Sequence, residues 1–425
     1  MAREYKDSGI EWIGQIPKEW KVARAKSIFS QRSSKGNTTE VLLSATQKQG
    51  MLPQYMLEGV VQTNANTDLQ TFKTVHQKDY VISLRSFQGG FEMSNYEGVC
   101  SPAYQVFYNK VPISHQYFWL LFKSYGFIDK INSLTVGIRE GKNIQYKDFA
   151  NMLLAIPSLS EQQKIADYLD KICGEVDELV AIQETMIEEL KAYKQSVITE
   201  AVTKGLNPNV PMRDSGIDWI GDIPEGWEVI RLKDVFILKT GTTPKEYEKG
   251  LDQRSLINWF TPADIDEMNC ELNASQRYLS KEVVLNEGIQ LYPKGSLIFV
   301  GIGASAGKIG YANVEGYSNQ QITAIIPKDS HCYSKYFYYY MIADRKRIRD
   351  NAFFTTLPII NNSYLSGVKV LFPAIEEQRA IASYLDTKCS EIDSLIALKQ
   401  AKIDELKEYK KSVIYEYVTG KKEVI

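Results

Sequence analysis

Apolar positions across residues 161–203 recur at alternating intervals of four and three. Ile165, Leu169, Ile172, Val176 and Leu179 open the series, and Met186, Leu190, Tyr193 and Val197 continue it. This period predicts one long helix offering a narrow apolar seam to another helix. At about 1.5 Å per residue, some forty residues make a rod of about 60 Å. A rod that long cannot bury its seam within itself. The chain writes the stretch a second time across 376–419. EQQKIADYLD at 161 is answered by EQRAIASYLD at 377, and Val197 falls on Val413 without a gap. In the second copy Ile381, Leu385, Ile392, Leu395, Leu406 and Val413 hold the matching positions, so it is the nearest candidate partner.

A further repeat precedes each variable stretch. KDSGIEWIGQIPKEWKVARAK begins at Lys6, and RDSGIDWIGDIPEGWEVIRLK begins at Arg213. Gly and Pro punctuate a compact turn there, while Trp12, Trp20, Trp219 and Trp227 offer large apolar surfaces. The motif therefore reads as packing, not chemistry. The order is motif, variable region and long helix, then the same three again.

In the first variable region, about 22–156, residues 40–45, 80–84 and 104–108 read as short strands. Residues 116–131 read as a helix with Tyr117, Leu120, Leu121 and Ile128 on one side. Ile156-Pro157 leads to Ser158 or Ser160 as an N-cap, with Glu161 in the first turn, and Gly205 ends the helix. The second region, about 228–372, has strand-like 296–300 and 321–326 and an aromatic helix through 333–348. The expected division is 1–156, a first domain with its packing motif; 157–205, the first long helix; 206–372, a linker and second domain; and 373–425, the second long helix.

The net charge of −2 is unevenly spread. Residues 18–147 carry excess positive charge and the first long helix excess negative charge, which suits a DNA-facing domain on a protein-facing scaffold. No run has the apolar length of a membrane span, and MAREYKDSGI lacks the apolar core of a secretory signal, so a cytoplasmic protein is expected. Five cysteines are scattered, and the equivalent pair Cys173 and Cys389 is not expected to form a disulfide.

Two variable stretches carry residues suited to nucleic acid. In SLRSFQGGFEMSNYEGVCSPAY, Arg85, Ser86 and Gln88 stand beside Gly89 and Gly90, with Tyr104 at the end. Arg pairs bidentately with guanine and Gln with adenine, while glycines let backbone approach phosphate. A solvated polar turn would look the same. GIREGKNIQYKDF adds Arg139, Lys142 and Asn143. The second stretch, GIGASAGKIGYANVEGYSNQQITAI, offers Gly303, Ser305 and Lys308 toward phosphate and Asn319 and Gln320 toward bases. Its glycine–lysine spacing is one residue short of a nucleotide-hydrolysing loop, and Ile309 occupies the Ser/Thr place, so nucleotide hydrolysis is rejected. Lys239, Thr240 and Thr242, then Thr355, Thr356 and Asn361, are weaker candidates. Three separated histidines show no metal-ligand pattern, and no catalytic constellation or metal site is expected.

SGIEWIGQIPKEW, SGIDWIGDIPEGW, the helix starts IPSLSEQQKIADYLD and FPAIEEQRAIASYLD, and AVTKGLNPNVPMRDSG between the halves resemble the DNA-specificity (S) subunit of type I restriction-modification systems. The resemblance covers nearly the whole chain. It implies an α+β protein in which two α/β target recognition domains are separated by long helices pairing as an antiparallel coiled coil, with a pseudo-twofold internal repeat. Such a subunit is not itself catalytic. It binds double-stranded DNA and two methyltransferase (M) subunits, and two restriction (R) subunits can join. AdoMet would come with M, and ATP and magnesium with R; none is expected on this chain. Lys388, Lys399 and Lys402 depart from the seam, standing where the first copy has Ile172, Gln183 and Met186, with Leu398 and Ile403 expected to shift the apolar face. A fused restriction-methylation enzyme would need methyltransferase motifs that the sequence lacks, and a bare coiled-coil adaptor would leave two large diverged inserts unexplained.

Overall fold

The computed structural model describes residues 3–35, 41–46, 49–57, 69–83, 90–134, 144–245, 257–265, 271–287, 289–351, 353–354 and 357–424. The chain divides into two compact units, 1–183 with 401–425, and 184–400. Among the described residues no helix is long and apolar enough to cross a membrane.

In the first unit the packing motif is a hairpin of Tyr5–Asp7 and Gln15–Pro17. Lys21–Arg24 then pairs antiparallel with Leu153–Ile156, so the variable region leaves beside the strand by which it enters. Between them lies a four-stranded antiparallel sheet in the order Phe29–Arg32, Gln105–Asn109, Tyr80–Ile82, Phe91–Met93. Phe29, Phe91, Phe107, Phe122 and Phe149 fill one aromatic core against the helices His115–Lys123 and Tyr146–Asn151. The single helix expected over 116–131 is two, His115–Lys123 and Tyr125–Ser133. Ser124 breaks it with an extended backbone (ψ 140°) and a hydroxyl bonded to the Leu121 carbonyl. The break lets Gly126 approach Tyr415 and Trp12 where a Cβ would clash at 2.7 and 2.9 Å.

Glu92, in the last strand of this sheet, is 1% exposed and ion-paired to Lys123 at 2.5 Å. Burial pushes its carboxyl up to about 7, against the pull of Lys123.

The second unit begins with the equivalent hairpin, Met212–Asp214 and Asp222–Pro224, and the equivalent base pair of strands, Glu228–Arg231 with Lys369–Phe372. Its insert differs. A five-stranded sheet runs in the order Phe236–Thr240, Ile322–Pro327, Leu297–Val300, Ile309–Ala312, Glu271–Leu272, the last pair parallel. A three-stranded sheet of Tyr278–Leu279, Ile257–Phe260 and Tyr317–Ser318 stands beside it. The aromatic helix is again two, Ser334–Ala343 and Arg345–Asp350, parted at Asp344, whose buried carboxylate is clamped by Arg347.

Unlike inserts are mounted by the same contacts. Trp20 donates its indole N–H to Glu161 (3.0 Å), and Trp227 does so to Glu377 (2.8 Å). Gln162 bridges the Ser114 amide and the Pro157 carbonyl, and Gln378 bridges the Tyr333 amide and the Pro373 carbonyl. Tyr117 donates to the Val418 carbonyl and Tyr336 to that of Val202. Lys421 spans the carbonyls of Ile13 and Gln15, as Lys204 spans those of Ile220 and Asp222. Glycine and lysine are transposed between Lys204-Gly205 and Gly420-Lys421, yet both glycines adopt φ +74° beneath a tryptophan, a backbone that disfavours any side chain.

The long helices are Leu159–Lys204 and Ile375–Val418. Ser158 is the residue that caps the first, accepting the Glu161 amide. Within the first unit Tyr417 meets Tyr168 (3.2 Å) and Lys410 meets Asp177 (2.7 Å), so the helices run antiparallel. Within the second, Lys194 meets Asp393 (2.7 Å), and Val197, Ile198, Ala201 and Val202 share a core with Ile381, Ala382, Leu385 and Cys389. Lys194 is equivalent to Lys410, and Asp177 to Asp393. Each unit therefore makes the same ion pair with the copies exchanged.

Burial corrects one column of the expected seam. Ile165, Leu169, Val176 and Val197 are buried and Leu190 half-buried, but Leu179 and Met186 are 46% and 39% exposed. The inward column is Cys173, Val180, Ile187 and Lys194, one residue beyond Ile172, Leu179, Met186 and Tyr193. Likewise Ile381, Leu385, Ile392, Leu406 and Val413 are buried, whereas Leu395 is exposed and Ile396 takes its place. Both columns keep the four–three spacing, and the larger apolar side chains occupy the outer one. With the seam shifted, Lys388 and Lys402 lie outside it, paired with Glu391 and Glu405; Ile403 is buried and Leu398 exposed.

Leu169→Ala should cost about 2–5 kcal/mol of stability, and Leu179→Ala should stay within about 0.5 kcal/mol. Urea unfolding of the two variants tests the register, and equal losses would refute it. For Glu92, a folded pKa raised above the unfolded value gives a contribution that is full at low pH and lost as pH rises toward about 7. The thermal midpoint should carry a falling component between about pH 5 and 7. Glu92→Gln should remove that component; a profile of unchanged slope would acquit the buried acid.

Candidate nucleic-acid interface

Three strands of the second unit's larger sheet, Phe236–Thr240, Ile322–Pro327 and Leu297–Val300, bring their loops to one edge. Backbone bonds tie the loops together. The Gly241 amide donates to Ile322, that of Thr242 to Ser318, that of Gly301 to Gln321, and that of Ile360 to Gly301. Gly241 lies so close to Ser318 and Asn319 that any Cβ would overlap their oxygens at 2.3 Å. Segments far apart in sequence, 239–243, 301–308, 318–321 and 358–362, thus form one polar rim.

Most of the candidates proposed in this half meet on that rim. Thr240 accepts from the Asn362 amide (2.8 Å), and Asn362 in turn accepts from Thr323 (2.7 Å). Gln320 is exposed and accepts from the Thr243 hydroxyl. Asn319 accepts from the Gln321 amide (3.1 Å) and donates to its side chain (3.0 Å), which fixes both amides in place. Asn361 caps the helix Asn362–Gly367 through the Tyr364 amide. Thr242 is exposed and Lys239 half-buried on the edge strand.

The loop holding Gly303, Ser305 and Lys308 joins the antiparallel strands Leu297–Val300 and Ile309–Ala312. A nucleotide-hydrolysing loop opens a helix, whose N-terminal amides hold the phosphates, so the connection found here agrees with the rejection of that chemistry. Gly307, at φ +90°, packs on the aliphatic stems of Arg345 and Arg349, which brings two further basic residues to the loop that holds Lys308. Neither arginine is evident among the sequence candidates. RKRIR at 345–349 was a visible basic run, but it follows an aromatic helix, and only the fold brings it to the loop.

The first unit is less fully described. Arg85, Ser86, Gln88, Gly89, Arg139, Lys142 and Asn143 lie outside the described residues, as do Thr355 and Thr356 of the second. Gly90 is buried and its carbonyl accepts the Ser83 amide (2.8 Å). Tyr104 is half-buried against the small core of Leu43, Val75 and Val106, and its carbonyl accepts from Lys73. Arg32 forms a two-pronged ion pair with buried Asp79 (2.6 and 3.0 Å) and stacks on Tyr108, a structural use of an arginine. Among the described residues no group of three or more His, Cys, Asp or Glu side chains is placed to hold a metal ion.

Comparison with known proteins bears on the whole chain. It matches the family described as Type I restriction modification DNA specificity domain over residues 17–192 and again over 224–408. It is 26% identical to the MjaVIII type I restriction enzyme specificity subunit of Methanocaldococcus jannaschii over 66% of this chain and 64% of that one, so the match spans just under two-thirds of that relative. A chain solved in work on complex assembly and conformational transition of the type I R-M system superposes with a TM-score of 0.73 at 15% identity, covering 95% of this chain and 98% of that one. The HsdS subunit of Thermoanaerobacter tengcongensis gives 0.52 at 16% identity with the same coverage. At these identities the structures speak for the fold, and the twice-matched family speaks for the chain: it belongs to the type I restriction-modification DNA specificity family.

Proposed function

We propose that this chain is the non-catalytic DNA reader of a type I restriction-modification complex, in which each recognition domain reads one half of a bipartite, asymmetric site. One observation carries the reading: like mounts hold unlike inserts. A four-stranded sheet stands on the Trp20–Glu161 mount, and a five-stranded sheet with a three-stranded companion stands on the Trp227–Glu377 mount. Two different readers on one kind of base suit two different half-sites.

In this scheme the long helices set the separation of the half-sites, leaving unread base pairs between them. A helix of 46 residues is about 69 Å long, an upper bound of roughly twenty base pairs at about 3.4 Å each. The helices are also the docking ground for the two M subunits, which bring AdoMet and methylate adenine, and for R subunits that cleave. Their outer faces support this. The first unit leaves Leu179 and Ile182 exposed, and the second leaves Met186, Tyr193, Leu395 and Leu398 exposed. Apolar side chains at helical spacing on an open face suit a protein partner.

Removing one heptad from the middle of each long helix should shorten the unread spacer by up to about three base pairs and leave both half-sites as they were. Methylome sequencing of a host expressing the chain with its methyltransferase reads this directly, and an unaltered spacer would refute the ruler. Lys308→Ala should weaken DNA binding across all sequences and lower the salt slope by about one. Loss confined to a single base pair would make Lys308 a base reader instead.

A further inference from the structure

Beside the polar rim of the second recognition domain lies a recess of about 450 Å³. Trp259, Thr261, Arg277, Thr243, Asn319 and Gln321 line it, brought together by the paired strands that end at Phe260 and Ser318. Among the described residues that line it none is acidic, and its polar groups are a guanidinium, two side-chain amides and two hydroxyls, beside Pro262 and Ala263. Building on the DNA-reading function proposed above, we infer that this recess is the base-reading centre of the second domain, with Arg277 donating to the major-groove edge of a guanine.

Three observations carry the assignment. The first is rigidity. The turn bearing Arg277 is pinned from both sides: the Trp259 amide donates to the Ser275 hydroxyl (3.0 Å) and the Arg277 carbonyl (3.2 Å), and Asn258 accepts from the Ser275 amide (3.0 Å). Asp264 accepts from the Gln276 amide (2.7 Å) with one oxygen and from the amide and hydroxyl of Thr261 (2.7 and 2.8 Å) with the other. A long side chain can discriminate between bases only if its root is fixed, because a mobile root lets it follow any acceptor.

The second is chemistry. Arg277 is exposed on this fixed turn and presents a donor-only planar fork, the group that matches guanine O6 and N7. In the same recess the Asn319 side chain accepts from the Gln321 backbone amide and donates to the Gln321 side-chain oxygen, so both side chains are held in set directions. Trp259 is 2% exposed and makes the wall stiff.

The third is position. Gln321 borders Gly303, whose missing Cβ would lie 3.4 Å from the Gln321 amide nitrogen, and the loop from there runs to Gly307, packed on Arg345 and Arg349. Groups that can hold phosphate therefore flank groups that can read base edges. That is the division of labour a DNA interface needs.

The test is selection from a pool of randomised 30-base-pair duplexes by the full chain assembled with its methyltransferase subunits. Arg277→Ala should relax one G·C position, in one half-site only, by between about five- and 150-fold. The other half-site and the affinity for unrelated DNA should be unchanged. Arg277→Lys keeps the charge but not the fork and should relax the same position, which guards against a folding defect in the alanine variant. Recognition logos unchanged in both variants overturn the assignment while leaving the DNA-reading function intact. Uniform weakening in Arg277→Ala that Arg277→Lys restores also overturns it, since that marks a phosphate contact. A wild-type complex that selects no sequence overturns the DNA-reading function, and this inference falls with it.

Discussion

A one-sided apolar seam on a long helix has to be covered by another helix, and here the covering helix is a second writing of the first. This constraint governs the rest of the structure. When two copies of one sequence pair antiparallel, any favourable contact is available twice, once with each copy in each role. Lys410 on Asp177 and Lys194 on Asp393 are that contact, made at the same distance in the two units. Each pair is partly exposed and is worth little as energy. Its value is in register, since a slip of one turn would leave both lysines beside the wrong neighbours.

The same duplication explains how the inserts can differ without loss of the frame. Each enters and leaves through adjacent antiparallel strands, Lys21–Arg24 with Leu153–Ile156 and Glu228–Arg231 with Lys369–Phe372. A neck of that kind fixes the ends of the insert and leaves its interior topology open. Around the neck, a tryptophan bonded to a helix-starting glutamate and a glutamine bridging two backbone groups satisfy buried polar atoms in both units. Buried polar groups with full partners favour one arrangement over others, because any displacement leaves a donor unpaired. The mount is therefore specific as well as stable.

How far the sequence could be read follows from these physical differences. Repeats, the ends of the first long helix and several strands of the two main sheets were legible, since Gly205, Ser158 and the alternating apolar runs act locally. The seam's second column was not, because Leu179, Met186 and Leu395 are larger apolar residues than Cys173 or Val180, and size pointed to the wrong neighbour. A periodic pattern cannot tell a face covered within the chain from one left open. The helix break at Ser124 was hidden for a related reason: it accompanies a tertiary contact, Gly126 beneath Tyr415 and Trp12. The break at Asp344 carries a local contact instead, Arg347 three residues on, which the aromatic run around it did not reveal. On the interface, Lys308, Asn319 and Gln320 were visible within one loop-rich stretch. Arg277 and Arg345 were not, since only the fold brings residues so distant in sequence beside that stretch.

The charge balance adds a last constraint on how such a chain can hold DNA. With a net charge of −2, the molecule as a whole supplies no attractive field, so attraction has to be local. In the second unit the basic side chains beside Gly307 meet that need where the backbone is tightly looped, and none of the described residues lining the recess next to them is acidic. Modest local attraction also serves discrimination. When phosphate contacts contribute only part of the binding free energy, a mismatched base removes a larger share of what remains, and dissociation from wrong sites is fast. Under the function proposed above, a DNA reader is better made this way than as a strongly basic protein.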